Sequence, residues 1–117
     1  MASISKLLLS GSTNGRFIQV TGTTTVAANT IHTAVSGTAN IDELHIFATN
    51  YHTTDATLTL EYGGTGANNE VSFVLPANVG LIEIIPSFLL QNGLVVKAYA
   101  SVGSVINVGG FVNRITA

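Results

Sequence analysis

The stretch Ala56-Thr57-Leu58-Thr59-Leu60-Glu61-Tyr62 decides the fold class. Ala56, Leu58, Leu60 and Tyr62 alternate with Thr57, Thr59 and Glu61. A period of two sends the first set to one face and the second to the other, as a half-buried strand requires. Residues 71–75 repeat the pattern, with Val71, Phe73 and Leu75 on one side. Between the two runs lies Gly63-Gly64-Thr65-Gly66-Ala67-Asn68-Asn69, built from residues that favour turns. The spacing predicts a hairpin that buries Leu58, Leu60, Phe73 and Leu75.

Outward from this hairpin the strand signal continues. Ile41–Asn50 predicts a longer strand, with Leu44, Ile46 and Ala48 inward and Glu43, His45, Phe47 and Thr49 outward. Residues 30–35 precede it across a Ser36-Gly37-Thr38-Ala39-Asn40 turn. Residues 79–85 lie between Pro76 and Pro86, which cannot donate ladder hydrogen bonds and read as strand ends. On this run Leu81, Glu83 and Ile85 read as the outer face, opposite Ile82 and Ile84. Residues 87–92 read as one helical turn closed by Gly93. Residues 94–100 and 104–115 read as a final hairpin across Ser101-Val102-Gly103, with Gly109-Gly110 marking a bulge or a close backbone approach. Residues 4–9 and 16–20 are two shorter strands. Phe17, Phe88 and Phe111 are assigned to the core.

No helical period is sustained. About eight to ten short strands with frequent turns predict an all-β chain, an antiparallel β-sandwich or barrel. An eight-stranded, jelly-roll-like sandwich is the preferred version. Periodicity alone leaves an immunoglobulin-like sandwich and a small barrel open. The 117 residues make one domain, 1–117, in which 1–9 is an extended arm or edge strand.

Composition narrows the function. Charged residues are 9% of the chain, far below the typical value of about 25%, and Thr, Ser, Asn and Gly take their place. Such a surface can be covered by another protein with little ionic desolvation. The four cations Lys6, Arg16, Lys97 and Arg114 are scattered and the net charge is −2, which argues against nucleic acid. The apolar run Leu7-Leu8-Leu9 is too short for a membrane span or a signal-peptide core. The expectation is a chain made and kept in the cytoplasm until assembly, with no membrane partner. Without cysteine there is neither a disulfide framework nor a thiolate metal site.

No motif carries chemistry. Residues 63–69 look like a phosphate cradle, but Asn68, Asn69 and Glu70 lead into a strand where a P-loop needs Lys and Ser or Thr opening a helix. His45, His52 and Asp55 lie close in sequence without a metal-ligand spacing. Ser, His and Asp occur without a nucleophile elbow. Asp42 and Glu43 are adjacent and face opposite sides of a strand, so they cannot act as a carboxylate pair. Glu61, Glu70 and Glu83 read as solvated. The sequence therefore predicts no enzyme, cofactor or metal.

Five segments carry a resemblance: Lys6-Leu7-Leu8-Leu9-Ser10-Gly11-Ser12-Thr13-Asn14-Gly15-Arg16, Thr30-Ile31-His32-Thr33-Ala34-Val35-Ser36-Gly37, Leu58-Thr59-Leu60-Glu61-Tyr62-Gly63-Gly64, Asn92-Gly93-Leu94-Val95-Val96-Lys97-Ala98 and Ile106-Asn107-Val108-Gly109-Gly110-Phe111-Val112-Asn113-Arg114-Ile115. Together, over nearly the whole chain, they resemble small virion structural proteins of tailed bacteriophages. The resemblance implies a capsid decoration, or cement, protein on the outer capsid surface. Such a protein binds the major capsid protein shell after expansion and bridges neighbouring capsomers. It implies a homo-oligomer on a symmetry axis, a trimer in preference to a dimer. It transfers no binding residues. From the residues themselves, the interface candidates are Ile4, Leu7 and Leu9 on the arm, Phe47 on an uncharged outward stripe, and Val112 and Arg114 as a rim. The alternative is a tail or fibre module recognising a host-surface glycan. The chain has no Trp, and its phenols are Tyr51, Tyr62 and Tyr99, which weakens that reading.

Overall fold

The computed structural model describes residues 2–117; Met1, which belongs to the expected domain and arm, lies outside them. The strands are β1 (Ser3–Leu8), β2 (Ile18–Val20), β3 (Asn29–Thr33), β4 (Ile41–Asn50), β5 (Ala56–Tyr62), β6 (Glu70–Leu75), β7 (Ile82–Leu90), β8 (Val95–Ala100) and β9 (Ile106–Thr116). A 3-10 turn, Ala67–Asn69, precedes β6. Among the described residues no helix is long and apolar enough to cross a membrane.

The strands form two antiparallel sheets. The first has the order β1-β9-β4-β7, with β2 also paired to β9; the second has the order β3-β8-β5-β6. Strand β1 pairs with the later part of β9 and β2 with its start, so the two act as one interrupted strand. The pairing is then nested: β1 and β2 with β9, β3 with β8, β4 with β7, β5 with β6. The first half of the chain runs back along the second as one long hairpin rolled into two layers. That is the jelly-roll connection of eight strands.

The core lies between the sheets. Leu44, Ile46 and Ala48 of β4 and Val108 and Val112 of β9 meet Leu58 and Leu60 of β5 and Val96 and Ala98 of β8, all fully buried. Strand β4 shows a strict alternation of half-buried and buried residues, as its sequence predicts. The expected hairpin exists as β5–β6, with Leu58 opposite Phe73 and Leu60 opposite Val71. Leu75 is buried, and Phe73 packs partly buried against the core.

Several expectations are corrected. The last two strands are not a hairpin: β8 lies in the second sheet and β9 in the first. Alternation identifies a strand but says nothing of its partner, and the roll pairs each with a strand from the other half. Pro86 does not end a strand. It lies inside β7, opposite His45, and residues 87–90 continue the strand where a helical turn was expected. Strand β7 is an edge strand, where a missing N–H costs no ladder bond if it faces solvent. Two register shifts in β7, one beside Ser87 at φ 68°, bury both Ile84 and Ile85, so Ile85 leaves the outer face. Phe17 and Phe88 are exposed and Phe111 is half-buried on the outside, so none of the three is a core aromatic. Glu61 is not solvated but 1% exposed.

Candidate interaction face

The odd residues of β4 and their neighbours build the outer face of the first sheet. Register places Glu43 beside Asn113, His45 beside Phe111 and Phe47 beside Gly109 on β9. On β1, Lys6 lies beside Asn113 and Leu8 beside Phe111. On β7, Glu83 lies beside Phe47.

Aromatic side chains gather at one end of this face. The turn through Asn14 and Gly15, both at positive φ, closes with the Arg16 N–H donating to the Thr13 carbonyl at 3.0 Å. It delivers the Phe17 ring onto β9 at Gly109, where an added Cβ would lie 2.9 Å from the ring. Gly109 is therefore the close approach its sequence signalled, made by a side chain. The next residue, Gly110, has φ +151°, and a Cβ there would lie 2.0 Å from the His45 carbonyl oxygen. Arg16, Phe17, Phe47, Leu81, Gly109 and Phe111 border an open hollow of about 350 Å³. Phe17 and Leu81 are each 56% exposed, so the hollow is a wet apolar surface rather than a core.

A polar group sits beside the aromatics. The Glu43 carboxylate accepts from Asn113 Nδ2 at 2.9 Å and Ser87 Oγ at 2.7 Å, with His45 Nε2 at 3.2 Å. The hydrogen bonds from Asn113, Ser87 and His45 hold the Glu43 carboxyl down at about 2, against its usual 4.5. The His45 ring stacks on Phe111 at 4.5 Å, and Lys6 Nζ lies 5.2 Å from the same ring centre. Glu83 approaches His45 Nδ1 at 3.9 Å.

The inner side of the same strand holds a different cluster. Asp42 is fully buried and accepts from Arg114 Nε at 2.7 Å, Arg114 Nη2 at 3.0 Å and the Val35 N–H at 3.1 Å. His32 Nε2 lies 2.8 Å from the same carboxylate, and His32 Nδ1 accepts the Ser10 N–H at 3.0 Å. That acceptor role puts the ring proton on Nε2, which donates to Asp42. Burial alone raises the Asp42 carboxyl, but the hydrogen bonds from Arg114 and His32 and the Arg114 charge outweigh it and lower it below 3.8. Both His32 nitrogens are occupied and the ring is buried, so this Ser-His-Asp neighbourhood fastens β3, β4, β9 and the end of β1 together. It offers no base to a nucleophile.

Glu61 is buried beneath the β2–β3 loop, where Thr25 Oγ1 donates to its Oε2; its Oε1 has no partner. His45 and His52 do not converge with Asp55, which accepts the Ala77 N–H. Among the described residues no group of three or more His, Cys, Asp or Glu is placed to hold a metal ion.

No family model matches the chain. No curated protein matches it either. Among solved structures, it is similar to a chain of Bacillus endospore appendages, described as a novel family of disulfide-linked pili, with a TM-score of 0.49 and 15% identity over 97% of this chain and 85% of that one. A likeness of that degree says nothing about role. The disulfide linkage is that protein's, since this chain has no cysteine.

The sequence-derived interface residues separate into two groups. Ile4, 70% exposed on β1, and the half-buried Phe47 stand on the outer face. Leu9 and Val112 are core residues at 2% and 0% exposure, and Leu7 packs against that core. Arg114 turns inward to Asp42. The even positions of β9 face the core, as its register with Leu44 requires, so the expected rim of Val112 and Arg114 does not form. Sequence reasoning missed the Asp42 cluster, although the period that sends Leu44 inward sends Asp42 with it. An inward Asp demands donors, and that signal was available.

Proposed function

We propose that the chain is a structural, adhesive subunit acting through the outer face of its first sheet, and that it decorates a phage capsid. The observation that carries the adhesive reading is the half-exposed aromatic group Phe17, Phe47 and Phe111 around one hollow. Solvent-exposed aromatics clustered this way mark contact surfaces. The Glu43 carboxylate beside them is held by Asn113, Ser87 and His45, and the buried Asp42 cluster serves the fold.

The capsid rests on the sequence resemblance. In this reading the chain sits on the outer surface of the major capsid protein shell, and homo-oligomers bridge neighbouring capsomers. Many weak contacts repeated over a shell then supply avidity. The test is cosedimentation with expanded heads of the virus whose genome encodes the chain. Wild type is expected to bind saturably and Phe47→Ser to lose binding. Failure of folded wild type to bind heads, together with capture by a glycan array that Phe47→Ser abolishes, would favour the fibre-module reading instead.

A further inference from the structure

Two open sheets leave four edges, and three of them are guarded. Strand β1, continued by the three-residue β2, carries Lys6 among exposed serines. Strand β3 is covered by the chain that follows β1: the Gly11 N–H donates to the Ile31 carbonyl at 2.9 Å, and Ser10 Oγ accepts the Thr33 N–H at 2.7 Å. Strand β7 is interrupted by Pro86 and two register shifts. Charge, cover, proline and bulges are the devices that keep an edge from pairing with another chain.

Strand β6, the remaining edge, has none of these. It pairs with β5 in one unbroken register. Among the described residues no backbone–backbone hydrogen bond outside that ladder involves residues 71–74. Val74 is 67% exposed and Val71 38%. Between Glu61 and Glu83 the chain has one charged residue, Glu70, which accepts from the Tyr99 hydroxyl at 3.5 Å. Val71 also borders, with Tyr62, Ile85 and the exposed Phe88, a hollow of about 250 Å³ beside this edge.

The alternation of β6 is complementary to itself. Its register with β5 sets Val71, Phe73 and Leu75 inward and Glu70, Ser72 and Val74 outward. A twofold axis normal to the second sheet lays a second β6 antiparallel to the first and keeps each face on its own side. Like faces then meet only where odd residues pair with odd and even with even. An axis through Ser72 sets Val71 against Phe73 twice on the inner side, and Glu70 against Val74 twice on the outer side. Apolar residues meet apolar residues inside, no like charge stands opposite Glu70, and Pro76 stays beyond the ladder.

We propose that β6 pairs with β6 of a second copy, antiparallel about Ser72, joining the two second sheets into one of eight strands. The contact is isologous and closes on itself, so neither copy keeps a free β6 edge. The inference rests neither on the capsid nor on the aromatic hollow. It takes the dimeric option in place of the trimer that the resemblance implies. Because the axis is normal to the second sheet, the outer faces of the two first sheets point the same way, and the dimer presents both to one surface.

The test uses the full chain in sedimentation equilibrium, with Val74→Glu and Val74→Lys made separately. Val74 is exposed, and far-UV circular dichroism establishes that each variant is folded. Wild type is expected to be a dimer at micromolar concentration. Glutamate at 74 faces the second copy's Glu70 twice and should weaken association about tenfold or more, whereas lysine there faces the same Glu70 and should keep it. Amide hydrogen exchange at residues 71–74 should slow as wild type dimerises and stay fast in Val74→Glu. A monomeric wild type at high micromolar concentration, a trimeric mass, a dimer that Val74→Glu leaves intact, or equal weakening by both variants would overturn the pairing. A monomer whose residues 71–74 become protected only on heads overturns self-pairing and gives the edge to a strand of the shell. A dimer that ignores heads supports the pairing and removes the capsid.

Discussion

Asp42 and Glu43 are neighbours in sequence and opposites in circumstance. Asp42 is fully buried, fastened by Arg114, His32 and the Val35 N–H, and ties four segments of the roll. Glu43 lies on the outer face, bonded by Asn113 and Ser87, with His45 Nε2 at 3.2 Å. The same contrast runs down β4: Leu44, Ile46, Ala48 and Asn50 are buried, while His45, Phe47 and Thr49 are half-buried. A single residue of offset decides whether a side chain builds the core or stands on the outer face. Reading the strand as two lists, even and odd, separates stability from contact.

That separation predicts a descending series of stability losses. Asp42→Ala leaves Arg114 and His32 without their shared acceptor inside the sandwich. Breaking a buried ion pair by removing one partner costs about 3–5 kcal/mol. The expected outcome is a large fall in the urea midpoint, and an unchanged midpoint would place Asp42 outside the fold's supports. Leu60→Ala, on the facing sheet, opens a cavity in a fully buried site and should cost about 2–5 kcal/mol. Asn50 closes the other end of the even list, donating to the Leu75 carbonyl at 3.0 Å and accepting the His52 N–H at 2.9 Å. Asn50→Ala strands these groups and should cost about 1–3 kcal/mol in the same measurement.

Acid sharpens the comparison differently. The folded Glu43 carboxyl sits near 2 and the unfolded one near its usual 4.5. A depressed folded value means the unfolded state binds the proton first as pH falls. The stabilisation is therefore complete above about pH 4.5 and is lost as pH drops toward 2. Asp42, also lowered, acts in the same direction. Denaturation midpoints measured from pH 6 downward should fall through this window. Glu43→Gln should flatten part of the slope by lowering the neutral-pH midpoint, while the two proteins converge toward pH 2. A slope that is unchanged in the variant would show that the outer carboxylate does not couple to folding.

The sequence made some of this legible. The alternation of Leu58 and Leu60 with Thr57 and Thr59 is a local property of one strand, so it reads directly. Pairing order is not local: β8 and β9 are adjacent in the chain yet lie in different sheets, because each finds its partner across the roll. Phe47 was legible as an outward residue from the period of β4. Phe17 was not, because its place depends on a tight turn at Asn14–Gly15 and on a missing side chain at Gly109, distant in sequence. Pro86 misled because a proline ends a central strand but is tolerated on an edge, and edge position is again a matter of topology. Glu61 looked solvated by its polar side of the strand; the β2–β3 loop that covers it leaves no periodic signal.

The smallest stability effect belongs to the residue on which the adhesive reading depends most. Phe47→Ser removes a half-buried outer aromatic and touches none of the even residues of β4 that form the core. Thermal unfolding and cosedimentation with expanded heads on the same Phe47→Ser sample test the division of β4 most directly. The account predicts stability within about 1 kcal/mol of wild type together with loss of head binding. A variant that unfolds far more easily yet binds heads as wild type does would contradict it.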